Sequence, residues 1–191
     1  MYSSALAILA FLFSGSTAGG EPAPSATAAP LAPASVRITP ESDLHFGTFM
    51  VFGSGRRTVD VRGGVIDEAI VPLEGSIPAP ARFTVTYDRG NQNRQVLDIE
   101  IDLFLSTVGA VRMQGVEGRL SALQTDLPGA SLPDAGQPIR LSIPNCRTRT
   151  CSRTFHVGGT LNVTRGPGGG ASLVIPIPIY ADLVSDDRQR R

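Results

Sequence analysis

The sequence predicts an all-β protein of antiparallel sheets, either a sandwich or a barrel. Between residues 36 and 184, short runs rich in β-branched and aromatic residues alternate with a period of two, as strands do. Gly, Pro, Asn and Asp separate the runs, as in GSG at 53–55 and GPGGG at 166–170. No window of ordinary helix length carries a sustained apolar stripe; the best helical candidate, EGRLSALQT at 117–125, allows one or two turns. Many short strands without crossover helices pair antiparallel, so we expect about seven to ten strands with little or no helix.

The N-terminal segments predict an exported chain. ALAILAFLF is too short to span a bilayer, and small residues follow at 16–18, so residues 1–18 are interpreted as a cleaved signal peptide. A buried core helix is the alternative, and it is disfavoured because Pro and Ala dominate residues 19–35. We interpret 19–35 as a linker, 36–184 as the folded domain and 185–191 as a charged tail. The predicted location is the periplasm, the cell surface or the extracellular space, with membrane contact only during export.

Charge composition excludes several functions. The chain carries 17 basic and 17 acidic residues, so no net field attracts nucleic acid, and we expect no nucleic-acid partner. Every basic residue is Arg. The absence of Lys excludes Schiff-base catalysis, a phosphate-binding P-loop Lys and isopeptide crosslinks.

The two cysteines predict a disulfide. Cys146 and Cys151 enclose four residues, close enough to cross-link a tight hairpin loop, and an even pair in an exported chain is usually bonded. Free thiols are the alternative. Metal binding would need further nearby ligands, and a redox pair normally encloses two residues rather than four. No metal site is expected.

The run LDIEIDL indicates a strand with one apolar face. Four aliphatic residues at 97, 99, 101 and 103 alternate with Asp98, Glu100 and Asp102. The carboxylates could bind calcium, but a strand holds alternate side chains about 7 Å apart and parallel, whereas a calcium cage needs oxygens that converge. A solvated face is the favoured interpretation.

The run SLVIPIPIY predicts a border strand. Ile175, Ile177 and Ile179 share one face, and Pro176 and Pro178 share the other. Both missing N–H groups would lie along one edge, so we expect this strand at the border of its sheet, with the prolines blocking addition of another strand.

The stretch TFHVGGTLNVT raises the question of a catalytic or phosphate-binding loop. A phosphate loop should open a helix, but LNVT continues as strand, so Gly158 and Gly159 are expected at a bulge or a close backbone contact. His156 could act as a base, yet no GxSxG motif occurs, and His45 has no acidic or Ser motif around it. No catalytic or cofactor-binding residues are predicted.

Three motifs carry a resemblance to a known family. Phe46, Gly47 and Phe49 form an early FGxF, Pro80–Val85 contains Phe83 in a central strand, and Val157–Leu161 gives a late VGGTL after Phe155. In this order the chain resembles domain-of-unknown-function family 4402, which comprises exported bacterial proteins. The resemblance spans about 36–184 and implies an immunoglobulin-like or pilin-like β-sandwich without enzymatic activity. The four phenylalanines are therefore expected to be buried together.

These observations predict a non-enzymatic exported structural or surface protein, a pilin-like or adhesin-like minor subunit. The alternative is a soluble periplasmic or secreted module that binds a glycan or protein partner, although the chain has no Trp and only Tyr87 and Tyr180 outside the signal. Strand-donating pilins carry an extension of large apolar residues, whereas the linker offers only Leu31. We therefore expect a monomer after purification.

Overall fold

A computed structural model describes residues 33–90, 95–107, 109–113, 115–166 and 170–188. The predicted signal peptide and most of the linker lie outside these residues. The described part forms eleven strands and no helix, one strand more than the upper end of the prediction. The strands are β1 (Ser35–Ser42), β2 (Leu44–Val59), β3 (Val65–Pro72), β4 (Ala81–Asp88), β5 (Leu97–Leu105), β6 (Val111–Met113), β7 (Val116–Thr125), β8 (Pro138–Cys146), β9 (Thr150–Arg165), β10 (Gly170–Ile175) and β11 (Ile179–Arg188).

The strands form two antiparallel sheets. The large sheet has the order β1-β4-β9-β2-β10, with β3 paired to β2 and the β6–β7 pair joined to β9. The small sheet has the order β11-β5-β8. Apolar side chains from both sheets form one buried core cluster. The predicted all-β antiparallel fold is confirmed, and the arrangement is that of a sandwich.

The centre of the small sheet is β5. Its aliphatic side chains alternate into the core, and its carboxylates face outward, as the period-two pattern predicted. Because both neighbours, β8 and β11, pair with it, each carboxylate lies in a cross-strand row on the outer face.

The run SLVIPIPIY is not one strand. The prediction that it forms a single border strand blocked by its prolines is therefore wrong. β10 ends at Ile175 on the edge of the large sheet, and β11 begins at Ile179 on the edge of the small sheet. Pro176 and Pro178 lie between them, where the chain passes from one sheet to the other. The two prolines have no backbone N–H groups, and they are tolerated there because no strand pairing runs through these residues. Ile177 is buried between the two prolines.

Two other boundaries differ from the prediction. The segment considered for a helical turn is part of β7, since Val116, Leu120 and Leu123 face the core from a strand paired to β9. β11 continues to Arg188, so the first four residues of the predicted tail at 185–191 extend the small sheet. Within the described residues, none forms a helix with the length and apolarity needed to cross a membrane.

Candidate functional site

The FGxF motif forms a bulge in β2. Phe46 and Phe49 are both fully buried although their positions are three apart, so strict alternation must break between them. Gly47 has φ +69°, and the β2–β10 register shifts at this point. A Cβ on Gly47 would lie 2.8 Å from the side chain of Pro78 and from the Ser76 carbonyl oxygen. The glycine therefore allows both rings to enter the core.

The other two signature phenylalanines meet across two strands. Phe83 on β4 pairs directly with Phe155 on β9, and their rings stack with centroids 5.7 Å apart. All four signature phenylalanines are at most 3% exposed and belong to the same core cluster. Their predicted burial together is confirmed.

The two glycines of VGGTL lie where β9 changes neighbours. Val157 pairs with β4, whereas Gly159 pairs with Val59 of β2. A Cβ on Gly158 would lie 2.3 Å from the Val59 carbonyl oxygen, and one on Gly159 would lie 3.0 Å from that of Ala122. The glycines thus permit close backbone contact within a continuous strand, as predicted, and they open no helix.

A buried arginine, which the sequence analysis missed, supports the β2 bulge. Arg57 is 1% exposed and donates two hydrogen bonds to Asp67, from Nε to Oδ1 at 2.6 Å and from Nη2 to Oδ2 at 2.8 Å. Its Nη1 donates to the Phe46 carbonyl oxygen at 2.8 Å, and its guanidinium lies 5.0 Å from the Phe49 ring centroid. Arg57 lies two residues before the buried Val59, so strand alternation places both side chains on the same face. This alternation was the only signal in the sequence for the burial of Arg57.

The disulfide joins the two sheets. Cys146 ends β8 in the small sheet and Cys151 lies at the start of β9 in the large sheet, with their Cα atoms 5.9 Å apart. The predicted bond is present, but it closes a crossover between sheets rather than a hairpin loop. Arg89, 3% exposed, donates from Nη2 to the Cys146 carbonyl oxygen at 2.7 Å and from Nη1 to the Gln95 carbonyl oxygen at 2.8 Å. The small-sheet end of the crossover is therefore held by a covalent bond and a buried cation.

Replacing Cys146 and Cys151 together by Ser is expected to lower the free energy of unfolding by about 1–2 kcal/mol, because the closed loop is short. Intact-mass spectrometry of the oxidised wild-type protein should show the loss of two hydrogen atoms, and reductant should restore them. Alkylation of both thiols in the folded protein without reductant would contradict the bond.

His156 forms a side-chain pair with Asp126. Its Nδ1 lies 2.8 Å from Asp126 Oδ2, and its backbone N–H donates to Oδ1 at 2.8 Å. Asp126 directly follows the last residue of β7. Its carboxylate accepts the hydrogen bond from the His156 N–H that a β7 carbonyl oxygen would accept if the strand continued beside β9. On the neighbouring strand β4, Arg82 lies directly opposite His156. Ser42 lies opposite Arg82 on β1, two strands and about 10 Å away from His156. A general base must reach its hydroxyl at about 3 Å, so this row supplies no nucleophile for His156.

The outer face of the small sheet is acidic. Asp98, Glu100 and Asp102 face outward from β5, and Asp182 on β11 lies directly opposite Asp102. Arg140 neutralises part of this face: it lies 2.6 Å from both Asp102 Oδ1 and Glu100 Oε2, and these hydrogen bonds raise its pKa. Among the described residues, no three His, Cys, Asp or Glu side chains converge as metal ligands. The calcium interpretation of β5 therefore gains no support from the geometry.

Tyr87 links the sheets through a polar contact. Its ring is fully buried, and its hydroxyl donates to Asp186 Oδ2 at 2.8 Å, from β4 to β11. Burial and then the hydrogen bond to Asp186 raise the pKa of Tyr87 to about 12. The folded state therefore keeps this phenol protonated as a donor, and the resulting stability is lost only as the pH rises from 10 through 12.

Comparison with known proteins gives one match. A family model described as Domain of unknown function (DUF4402) matches residues 36–171, which include all three signature motifs and both cysteines. The match begins at the predicted start of the folded domain. No curated protein and no solved structure is similar enough to this chain to count as a match.

Proposed function

Because the chain belongs to domain-of-unknown-function family 4402, we propose that it is a non-enzymatic exported structural or surface protein, a minor subunit of pilin-like or adhesin-like type. The observation that carries the proposal is the Cys146–Cys151 bond between the sheets. A disulfide persists in oxidising compartments, outside the cytosol. The signature phenylalanines all fill the core, which also suits a role in structure or adhesion.

A minor or stand-alone subunit is favoured over a self-polymerising shaft. The linker holds a single large aliphatic residue, Leu31, and so cannot fill a row of pockets in a neighbour. The free edge of β8 is also poorly suited to accept a strand. At that edge, the Ser142 carbonyl oxygen already accepts a hydrogen bond from Arg153 Nη1 at 2.7 Å. Pro138 and Pro144 lie at alternate positions from Ser142 along β8 and have no N–H to offer a new strand on that side.

Surface localisation in the native cell, combined with size-exclusion chromatography, tests the proposal. We expect the protein at the cell surface or in the exported fraction, and a monomer at micromolar concentration. Cytosolic protein with reduced thiols would refute export. Ladders that resist SDS and vanish when residues 19–35 are deleted would instead establish a shaft subunit.

A soluble binding module is the second candidate. Tyr180 is 66% exposed and pairs across β11 and β5 with Phe104, so two aromatic side chains neighbour each other on the outer face of the small sheet. Such a pair could stack on a sugar ring or contact an apolar partner. A secreted monomer with saturable glycan binding, lost in Tyr180→Ala, would favour this function over a surface subunit.

A further inference from the structure

Exposed apolar side chains concentrate at one corner of the large sheet. In the described part of the chain, six of the ten large hydrophobic residues with high exposure lie on β3, in the loop after it, or in the facing part of β2. Four of them define the β2–β3 patch: Phe52 at 68% exposure, Ile66 at 66%, Val71 at 40% and Leu73 at 43%. Exposed apolar side chains clustered on one face are typical of an interaction site.

The edge of β3 is blocked against strand addition, so the patch must act through its face. Ala69 has φ +55°, and the β2–β3 register shifts between Val51 and Arg56, which interrupts the line of free backbone groups. The Leu73 N–H donates to the Thr48 carbonyl oxygen on β2, so the neighbouring Pro72 directs its nitrogen, without hydrogen, to the free side.

An ion pair lies in the middle of the patch. Arg56 and Glu68 are directly opposite each other across β2 and β3, with Nη1 and Oε2 3.5 Å apart. Their side chains are 53% and 62% exposed. Ile66 lies two residues before Glu68 on the same face, and Phe52 and Val71 lie beyond the bulge. The face therefore presents one positive and one negative charge side by side between apolar surfaces.

This arrangement is self-complementary, and we propose that the β2–β3 patch binds a second copy of this chain. A two-fold axis running between β2 and β3 along the strands lays β3 of one copy over β2 of the other. Arg56 then faces Glu68 of the second copy. Met50, which is level with Val71, faces Val71 of the second copy, with Phe52 two residues further along the strand. Each charge meets its opposite twice, so the interface satisfies its own charges. The inference goes beyond the proposed function, since a soluble module could pair in the same way.

The contact is expected to be weak. The largest apolar patch on a typical monomer covers roughly 300–600 Å², whereas a stable complex buries about 800 Å² on each partner. The protein should therefore be a monomer at micromolar concentration and form dimers at several hundred micromolar, as on a crowded cell surface.

Charge reversal tests both the occupant and the geometry. In sedimentation equilibrium of the full chain from an exporting host, we expect Arg56→Glu alone and Glu68→Arg alone to weaken self-association at least about tenfold, because each places like charges opposite each other. Mixed in equal amounts, the two variants should associate about as well as wild type, since every pair across the interface between the two copies is again of opposite sign. Phe52→Ser should weaken wild-type association, whereas Arg37→Glu, on β1 at the far end of the sheet, should leave it unchanged.

Three outcomes would overturn the proposal. The first is a wild-type protein that stays monomeric up to about 1 mM, beyond the weakest affinity expected for a patch of this size. The second is self-association of both reversal variants as strong as that of wild type. The third is a mixture of the two variants that fails to recover association while each variant alone keeps the wild-type circular dichroism spectrum and melting temperature.

Discussion

Arg57→Ala is expected to lower the free energy of unfolding by about 2–3 kcal/mol, because the buried Phe46 carbonyl oxygen and the partly exposed Asp67 both lose a charged donor. Asp67 would lose both of its hydrogen bonds from the guanidinium, and the Phe46 carbonyl oxygen would lose its donor at the point where the chain bulges. The Phe49 ring would also lose its cationic neighbour. Urea unfolding followed by circular dichroism measures the change.

The adjacent arginine supplies a matched control. Arg56 is also on β2 and contacts a carboxylate, but its side chain is 53% exposed, so Arg56→Ala should cost only about 0–1 kcal/mol. Arg57→Lys should recover little of the loss, because an ammonium group cannot hold both Asp67 oxygens and the Phe46 carbonyl oxygen at once. A cost below about 1 kcal/mol for Arg57→Ala would show that the bulge does not depend on this cation.

Phe155→Ala is expected to destabilise the fold by roughly 3–5 kcal/mol, through lost apolar burial and the cavity left behind. The ring is fully buried at the centre of the large sheet and stacks on Phe83 with an interplanar angle of 26°. Neighbours on both sides of β9 are fixed by strand pairing, so they can collapse only partly into the space.

Phe52→Ala is the control for Phe155→Ala. It removes the same atoms from a side chain that is 68% exposed, and surface changes usually stay within about ±0.5 kcal/mol. The comparison must be made at micromolar concentration, below the range where the β2–β3 patch is expected to pair. Equal costs at the two positions would contradict the assignment of Phe155 to the core.

Local pattern was sufficient for much of the fold. β5 could be predicted with its inner and outer faces because a period of two in apolar residues has only one interpretation in an antiparallel sheet. The burial of Phe83 and Phe155 followed from the same alternation together with the family resemblance. The glycines of VGGTL could be assigned to a close backbone contact because strand-forming residues continue after them.

Other features depended on contacts between distant segments. The His156–Asp126 pair joins residues 30 apart in sequence, and neither residue carries a local signal for the other. The β2–β3 patch also escaped prediction, because alternation alone does not show which apolar residues at an edge lack a covering strand. Non-enzymatic function and export remain predictions, tested by the experiments above.

By itself, the sequence determined the all-β class, the inner and outer faces of β5, the disulfide partners and the core phenylalanines, since each depends on residue type and short-range spacing. Only the tertiary structure decided which sheet each strand joins. Pro176 and Pro178 forbid a regular ladder wherever they lie, but whether the chain ends a sheet there or crosses to another depends on which edges other strands leave open. For the same reason, the Cys146–Cys151 bond was predictable as a bond and not as a link between sheets, and Arg57 was identifiable as buried only once Asp67 and the Phe46 carbonyl oxygen were in place to satisfy its charge and its donors.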